Sequence, residues 1–182
     1  MSIVVDPAIA LLARTALSLL FVVAAAHKLL HLSQFVAVLE AYELSAPRFS
    51  SVLARLLPLF ELAVAIGIWI VPTRVYTSLL AATLLLIYAA AIGINLARGR
   101  RDLDCGCTAF GRRSSIAGWM LARNAVLATT AVLASAPVTS RTLTLTDALT
   151  VGGGLCVLTL LYAAVDGLLT TATSARRVEL QS

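Results

Sequence analysis

Long apolar runs separated by short polar connections dominate the chain. Five runs are long enough to cross the hydrocarbon core of a membrane, which takes about 20 residues in a helix. The predicted membrane helices span about 8–32, 52–71, 75–97, 115–136 and 145–170. Because only helices and closed barrels satisfy the backbone in lipid, the pattern predicts an all-α integral membrane helical bundle, with a four-helix core plus a fifth transmembrane helix.

Local signals predict where the elements begin and end. Asp6 followed by Pro7 is typical of a capped helix start, and Gly99 is typical of the residue just after a helix. The segment 33–51 mixes apolar and polar positions at helical spacing, which predicts an interfacial segment ended by Pro47. The tail, 171–182, is polar and predicted to be frayed.

Composition and charge restrict the class of protein. Hydrophobic residues make up 60% of the chain and charged residues 13%, which excludes an ordinary soluble domain. The formal net charge of +5 does not indicate nucleic-acid binding, because the basic residues lie in short connections between apolar runs. There they set topology and contact anionic lipid, so membrane lipid is an expected partner and nucleic acid is not.

Most basic residues fall on one side of the predicted bundle. Five crossings place the interfacial segment, the cysteine loop at 98–114 and the tail on that side. By the positive-inside rule it faces the cytoplasm, with the N-terminus outside. Its basic residues are Lys28, Arg48, Arg98, Arg100, Arg101, Arg112, Arg113, Arg176 and Arg177.

The cysteine loop carries two thiols one residue apart, Cys105 and Cys107. Such a pair could form a strained, easily reduced disulfide, or hold a soft metal to which His27 and His31 would add imidazoles. A thiol–disulfide oxidoreductase and a soft-metal or small-solute carrier therefore both stay open. Cys156 lies among Leu and Val in the last helix and is predicted to fill the core.

Polar residues inside the apolar runs are the other candidate site. Glu61 lies deep in the second membrane helix, and Arg123 and Asn124 lie in the fourth. Since an unpaired charge at such depth is costly, these three residues and Lys28 are expected to meet in a polar pocket beneath the cysteine pair. The alternative is an ion pair that only fixes helix order. A quinone head group is expected in such a pocket.

The chain resembles the methylamine utilisation protein MauE family, within the DoxX-like group of small membrane bundles. The resemblance covers roughly residues 8–136, and one departure is that Thr108 and Ala109 lengthen the loop after the second cysteine. The residues that carry it are Lys28, Phe35 to Tyr42, Pro58, Glu61, Asn95, Arg98-Gly99, Asp104-Cys105-Gly106-Cys107, Phe110-Gly111 and Arg123-Asn124.

The resemblance implies a membrane thiol–disulfide oxidoreductase that serves the maturation of exported enzymes with a thioredoxin-like, MauD-type partner. Cys105 and Cys107 would be the catalytic pair, with Cys107 as the attacking thiol, and a quinone rather than a metal would be the cofactor. The implied location is the bacterial inner membrane, as a multi-pass protein. That role needs the cysteines on the periplasmic face, whereas the charge rule places them in the cytoplasm.

Overall fold

A computed structural model describes residues 4–44, 46–100, 103 and 116–179. The described residues confirm an all-α bundle with helices long and apolar enough to cross a membrane. The helices are α1 (Pro7–Leu30), α2 (Leu32–Ala41), α3 (Pro47–Gly67), α4 (Arg74–Ala97), α5 (Gly118–Ser135) and α6 (Leu145–Glu179). The candidate membrane spans are Pro7–Leu30, Arg48–Gly67, Val71–Ala97 and Leu145–Val165.

Four helices enclose the core of the bundle. α1 packs against α3 and α5, and α4 also packs against α3 and α5, so that α3 and α5 lie on one diagonal. α6 packs on the outside of α1, and α2 lies against the start of α3. The main core, which all four helices share, consists of Leu17, Phe21, Val64, Ala65, Ile68, Ala81, Ala82, Leu84, Leu85, Ala128, Ala131 and Ala134.

A second hydrophobic cluster, here called the cap cluster, closes the bundle at the end where α1 and α4 terminate. Its buried members are Tyr42, Ile92, Ile116 and Met120. Tyr42 follows α2, and Ile116 lies just before α5. The cap cluster therefore joins the interfacial helix to the base of the cysteine loop.

The predicted helix-end signals are confirmed. Asp6 Oδ1 accepts a hydrogen bond of 2.8 Å from the backbone N–H of Ala8, with Pro7 at the first helical position. Gly99 has a φ of 75°, and the N–H groups of Gly99 and Arg100 donate to the carbonyls of Leu96 and Asn95. This is a Schellman motif, which needs a left-handed residue and explains the glycine.

Some boundaries differ from the predicted ones. α2 already ends at Ala41, so the interfacial helix is not ended by Pro47; this proline instead starts α3. A proline at the first helical position is favourable because no amide donor is needed there. α3 continues through Pro58, and α6 continues to Glu179, into the segment predicted to be frayed.

Arg141 ties together the three chain segments at the end where α1 begins. Its guanidinium donates to both carboxylate oxygens of Asp6, at 2.9 Å each, and to both of Asp147, at 2.7 and 2.8 Å. Val5 and Val138 form a backbone bridge beside it. The hydrogen bonds from Arg141 and from the Ala8 N–H lower the pKa of Asp6. This clasp holds the start of α6 against the start of α1.

We expect Arg141→Gln to lower the melting temperature of the detergent-solubilised protein by a few degrees at neutral pH. Because the folded-state pKa of Asp6 is depressed, its contribution is present above the ordinary aspartate pKa of about 4 and is lost as the pH falls through the depressed value. The difference in melting temperature should therefore shrink in acid. Arg55→Gln, at an exposed position on α3, is the matched control. Equal melting temperatures for the two variants would show that the clasp contributes nothing.

Candidate functional site

A buried ion pair joins two packed helices of the core. Lys28 lies in the last turn of α1, Glu61 lies in α3, and these helices pack directly against each other. Lys28 Nζ donates a short hydrogen bond to Glu61 Oε1. The two side chains are only 2% and 1% exposed, so protein encloses both charged groups.

Tyr88 of α4 contacts both members of the pair. Its hydroxyl donates to Glu61 Oε1 at 2.6 Å and lies 3.2 Å from Lys28 Nζ, from which it accepts. The ammonium nitrogen also lies 4.7 Å from the centre of the Tyr88 ring and 5.3 Å from that of Phe35. Two aromatic faces therefore stabilise the buried cation, in addition to the carboxylate.

Asn124 of α5 lies at the same depth as Tyr88. On the buried face of α5 it follows Met120 of the cap cluster by one turn and precedes Ala128 of the main core by one turn. On α4, Tyr88 packs against the main core, and one turn later Ile92 belongs to the cap cluster. Both residues therefore lie at the boundary between the two hydrophobic clusters.

Each helix of the four-helix core thus contributes one polar side chain to this boundary. The set is here called the polar layer: Lys28, Glu61, Tyr88 and Asn124. Glu61 Oε2 and Asn124 Nδ2 are buried atoms of this layer without a hydrogen-bond partner among the described residues. A buried donor or acceptor that lacks a partner costs about 1–3 kcal/mol, so these two atoms mark a place for a further polar group.

The helix α2 covers the polar layer. Phe35 is buried over Lys28, and the backbone carbonyl of Tyr42 accepts a hydrogen bond of 3.4 Å from Asn95 Nδ2. At the surface, Glu43 pairs with Arg100 at 2.8 Å. α2 therefore shields this part of the layer from solvent.

The base of the cysteine loop lies on the same end of the bundle. The N–H of Ile116 donates to the carbonyl of Leu103 at 3.0 Å, and both side chains pack in the cap cluster. The two ends of the loop are therefore held together next to α2. Cys105 and Cys107, the predicted catalytic pair, lie outside the described residues.

Of the residues predicted to share a polar pocket, the structure brings Lys28 and Glu61 into contact and places Arg123 against Tyr162. Glu61 pairs with Lys28 and Tyr88, whereas Arg123 Nη1 donates to the hydroxyl of Tyr162 in α6 at 2.9 Å. The physical reason is the arrangement of the helices. α3 and α5 are diagonal, and Arg123 points from α5 towards α6 while its neighbour Asn124 points into the core.

The expectation that Cys156 fills the core is wrong, because its side chain is exposed on α6. His27 and His31 do lie together, with ring centres 4.9 Å apart. Within the described residues there is no group of three or more His, Cys, Asp or Glu side chains that could hold a metal ion.

Tyr88 is the site residue that the sequence reasoning missed. It lies two helical turns before Asn95 and one turn before Ile92, on the buried face of α4. The spacing of two helical turns from Asn95 could have indicated that Tyr88 lies on the same face of α4. A tyrosine in an apolar helix, however, is also common as a simple core residue.

These features are those of a multi-pass helical-bundle membrane protein whose core encloses a Lys–Glu–Tyr cluster, towards the end of the bundle where Leu103 and Ile116 lie. The family model described as "Methylamine utilisation protein MauE" matches residues 6–137. The chain belongs to this MauE family.

The similar curated proteins all carry the name "Methylamine utilization protein MauE". That of Paracoccus denitrificans is 35% identical over 176 residues, covering 95% of each chain. That of Methylophilus methylotrophus is 29% identical over 181 residues, covering 98% of this chain and 95% of the relative. That of Paracoccus versutus is 36% identical over 131 residues, covering 72% and 70%. No solved structure matches the chain.

A double-mutant cycle tests the ion pair. We expect Lys28→Met and Glu61→Leu each to lower the free energy of unfolding by about 3–5 kcal/mol, because each leaves one buried charge without its partner. The double variant should recover most of that loss, since it removes both charges. Thermal or chemical unfolding of the purified protein in detergent measures all four states. Losses that simply add would contradict the pairing.

Proposed function

We propose that the chain is a membrane thiol–disulfide oxidoreductase that works in methylamine utilisation. Cys105 and Cys107 are its redox pair, a quinone is its electron carrier, and a thioredoxin-like protein is its partner. Its task is the formation or exchange of disulfides in exported enzymes. Membership of the MauE family, whose members carry that pathway in their names, supports the pathway assignment.

The observation that carries the redox proposal is the polar layer beneath the cysteine loop. Charged and hydroxyl groups at this depth are expensive, so they persist where they serve a structural or chemical role. Lys28, Glu61 and Tyr88 are buried near the end of the bundle where Leu103 and Ile116 hold the base of the loop. The layer therefore lies towards the same end of the bundle as Leu103 and Ile116, the described residues at the base of the loop.

In the proposed reaction the two thiols of Cys105 and Cys107 lose two electrons and two protons, and a sulfur–sulfur bond forms between them. A bound quinone would supply the two-electron oxidant that this step needs, and the electrons and protons of the thiols would pass to it. The disulfide then exchanges with a dithiol of the partner, which leaves with the new disulfide and returns the pair to its reduced form.

The described side chains fit a quinone head group in part. The amide nitrogen Asn124 Nδ2 is a buried donor that a quinone carbonyl could accept from, and Lys28, Glu61 and Tyr88 form a hydrogen-bonded cluster at the same boundary between the hydrophobic clusters. Arg123, the fourth residue proposed for this site, contacts Tyr162 and Trp119 outside the polar layer. When bound, the quinone supplies the two-electron chemistry that no side chain here can provide.

The side of the membrane follows from the proposed role. Disulfides for exported enzymes must be formed on the periplasmic face, which places the cysteine loop outside the cytoplasm. The arginines near the loop favour the opposite orientation. Lys28, one of the basic residues counted on the side of the cysteine loop, is buried in an ion pair. It is therefore not one of the exposed charges that determine orientation.

Alkylation in intact cells tests the proposed function. We expect a membrane-impermeant maleimide to add two labels per chain after mild reduction and none before it, in a Cys156→Ala background. The double variant Cys105→Ser/Cys107→Ser should take no label, and each single variant should take one label without reduction, because its remaining thiol has no disulfide partner. In cells with an intact quinone pool, the pair of the parent protein should be in the disulfide form.

Three outcomes would count against the proposal. Thiols that are always reduced and bind Cu(I) stoichiometrically would indicate the soft-metal carrier instead. Labelling only after lysis would place the pair in the cytoplasm and exclude delivery to exported enzymes. Growth on methylamine that is normal in both Ser variants would exclude a role for the pair in that pathway.

A further inference from the structure

Two buried atoms of the polar layer are complementary to each other. Glu61 Oε2 can only accept a hydrogen bond, Asn124 Nδ2 can only donate one, and within the described part of the chain neither has a partner. The residues are 0% and 2% exposed. Removal of such groups from water is unfavourable unless a third group satisfies them.

The two residues lie at the same level on opposite helices of the core. Glu61 lies on α3 and Asn124 on α5, the diagonal pair of the core, and both side chains are on the buried faces of their helices. Tyr88 of α4 lies at the same level and already donates to the other oxygen of Glu61. A small group at the centre of the layer would lie between them.

We infer that Glu61 and Asn124 bind a hydroxyl group. A hydroxyl donates its proton to Glu61 Oε2 and accepts from Asn124 Nδ2, whereas a carbonyl can only accept and leaves the carboxylate oxygen without a partner. Water and a hydroquinone are two molecules in a membrane bundle that carry such a group. The hydroquinone case rests on the proposed function; the water case does not.

For a quinone carrier the consequence is a preference for its reduced form. A site that hydrogen-bonds a hydroxyl rejects the analogue that lacks it, because the buried partner is then left unsatisfied. Tighter binding of the hydroquinone than of the quinone makes the bound quinone a stronger oxidant, by about 30 mV for each tenfold difference in affinity. The layer therefore favours electron flow from the cysteine pair to the quinone.

Equilibrium binding to the full chain tests this inference. The cysteine pair is replaced by serine so that no electrons are exchanged, and the probes are a short-chain hydroquinone, its quinone and the hydroquinone dimethyl ether. We expect the hydroquinone to bind at least about tenfold more tightly than the other two. Asn124→Leu should abolish the difference, and Ser78→Ala, which removes a buried hydroxyl elsewhere on α4, should preserve it. Melting temperatures show whether each variant is folded.

X-ray radiolytic labelling in oxygen-18 water distinguishes the other source of a hydroxyl. A water bound in the layer should label Tyr88 and Met120, and Asn124→Leu should abolish that labelling. Such labelling without a preference for hydroquinone would support a hydroxyl site that binds water and not the quinone. Equal binding of all three probes together with no labelling in the parent protein would overturn the inference. Normal growth on methylamine of the Cys105→Ser and Cys107→Ser variants would count against the proposed function and would leave the hydroxyl site unaffected.

Discussion

Lys28 and Glu61 form a buried ion pair that determines how the helices of the bundle pack together. Neither charge can be left alone in an apolar bundle, so α1 and α3 must pack with these two positions in register. Tyr88 extends the requirement to α4 through its bond to Glu61. One interaction therefore fixes the relative positions of three helices, which hydrophobic packing in lipid alone would specify weakly.

The position of the pair also determines what lies above it. Phe35 covers the ammonium group, which ties α2 to the polar layer, and Tyr42 ties the end of α2 to Asn95 and the cap cluster. The cysteine loop starts and ends at that same cluster. α2 is consequently the element through which a change at the loop could reach the charged groups below it.

Much of the fold could be predicted because hydrophobic length and helix-end chemistry are local properties. The Asp6 cap and the Gly99 motif depend on neighbouring residues only, and the structure has both. The cation that pairs with Glu61 could not be predicted, since helix order around the bundle decides whether Glu61 meets Lys28 or Arg123. The Arg141 clasp was missed for a similar reason: it joins Asp6 and Asp147, which are close only after folding.

We propose that the polar layer and the cysteine pair act as one redox unit. This proposal is tested by the rate at which added quinone converts the reduced pair to its disulfide in the purified protein, compared between Glu61→Gln and Ser78→Ala. We expect a loss of about 100-fold or more in Glu61→Gln, because a proton acceptor is removed, and an unchanged rate in Ser78→Ala. If a folded Glu61→Gln protein forms the disulfide at the parent rate, the polar layer takes no part in the redox reaction.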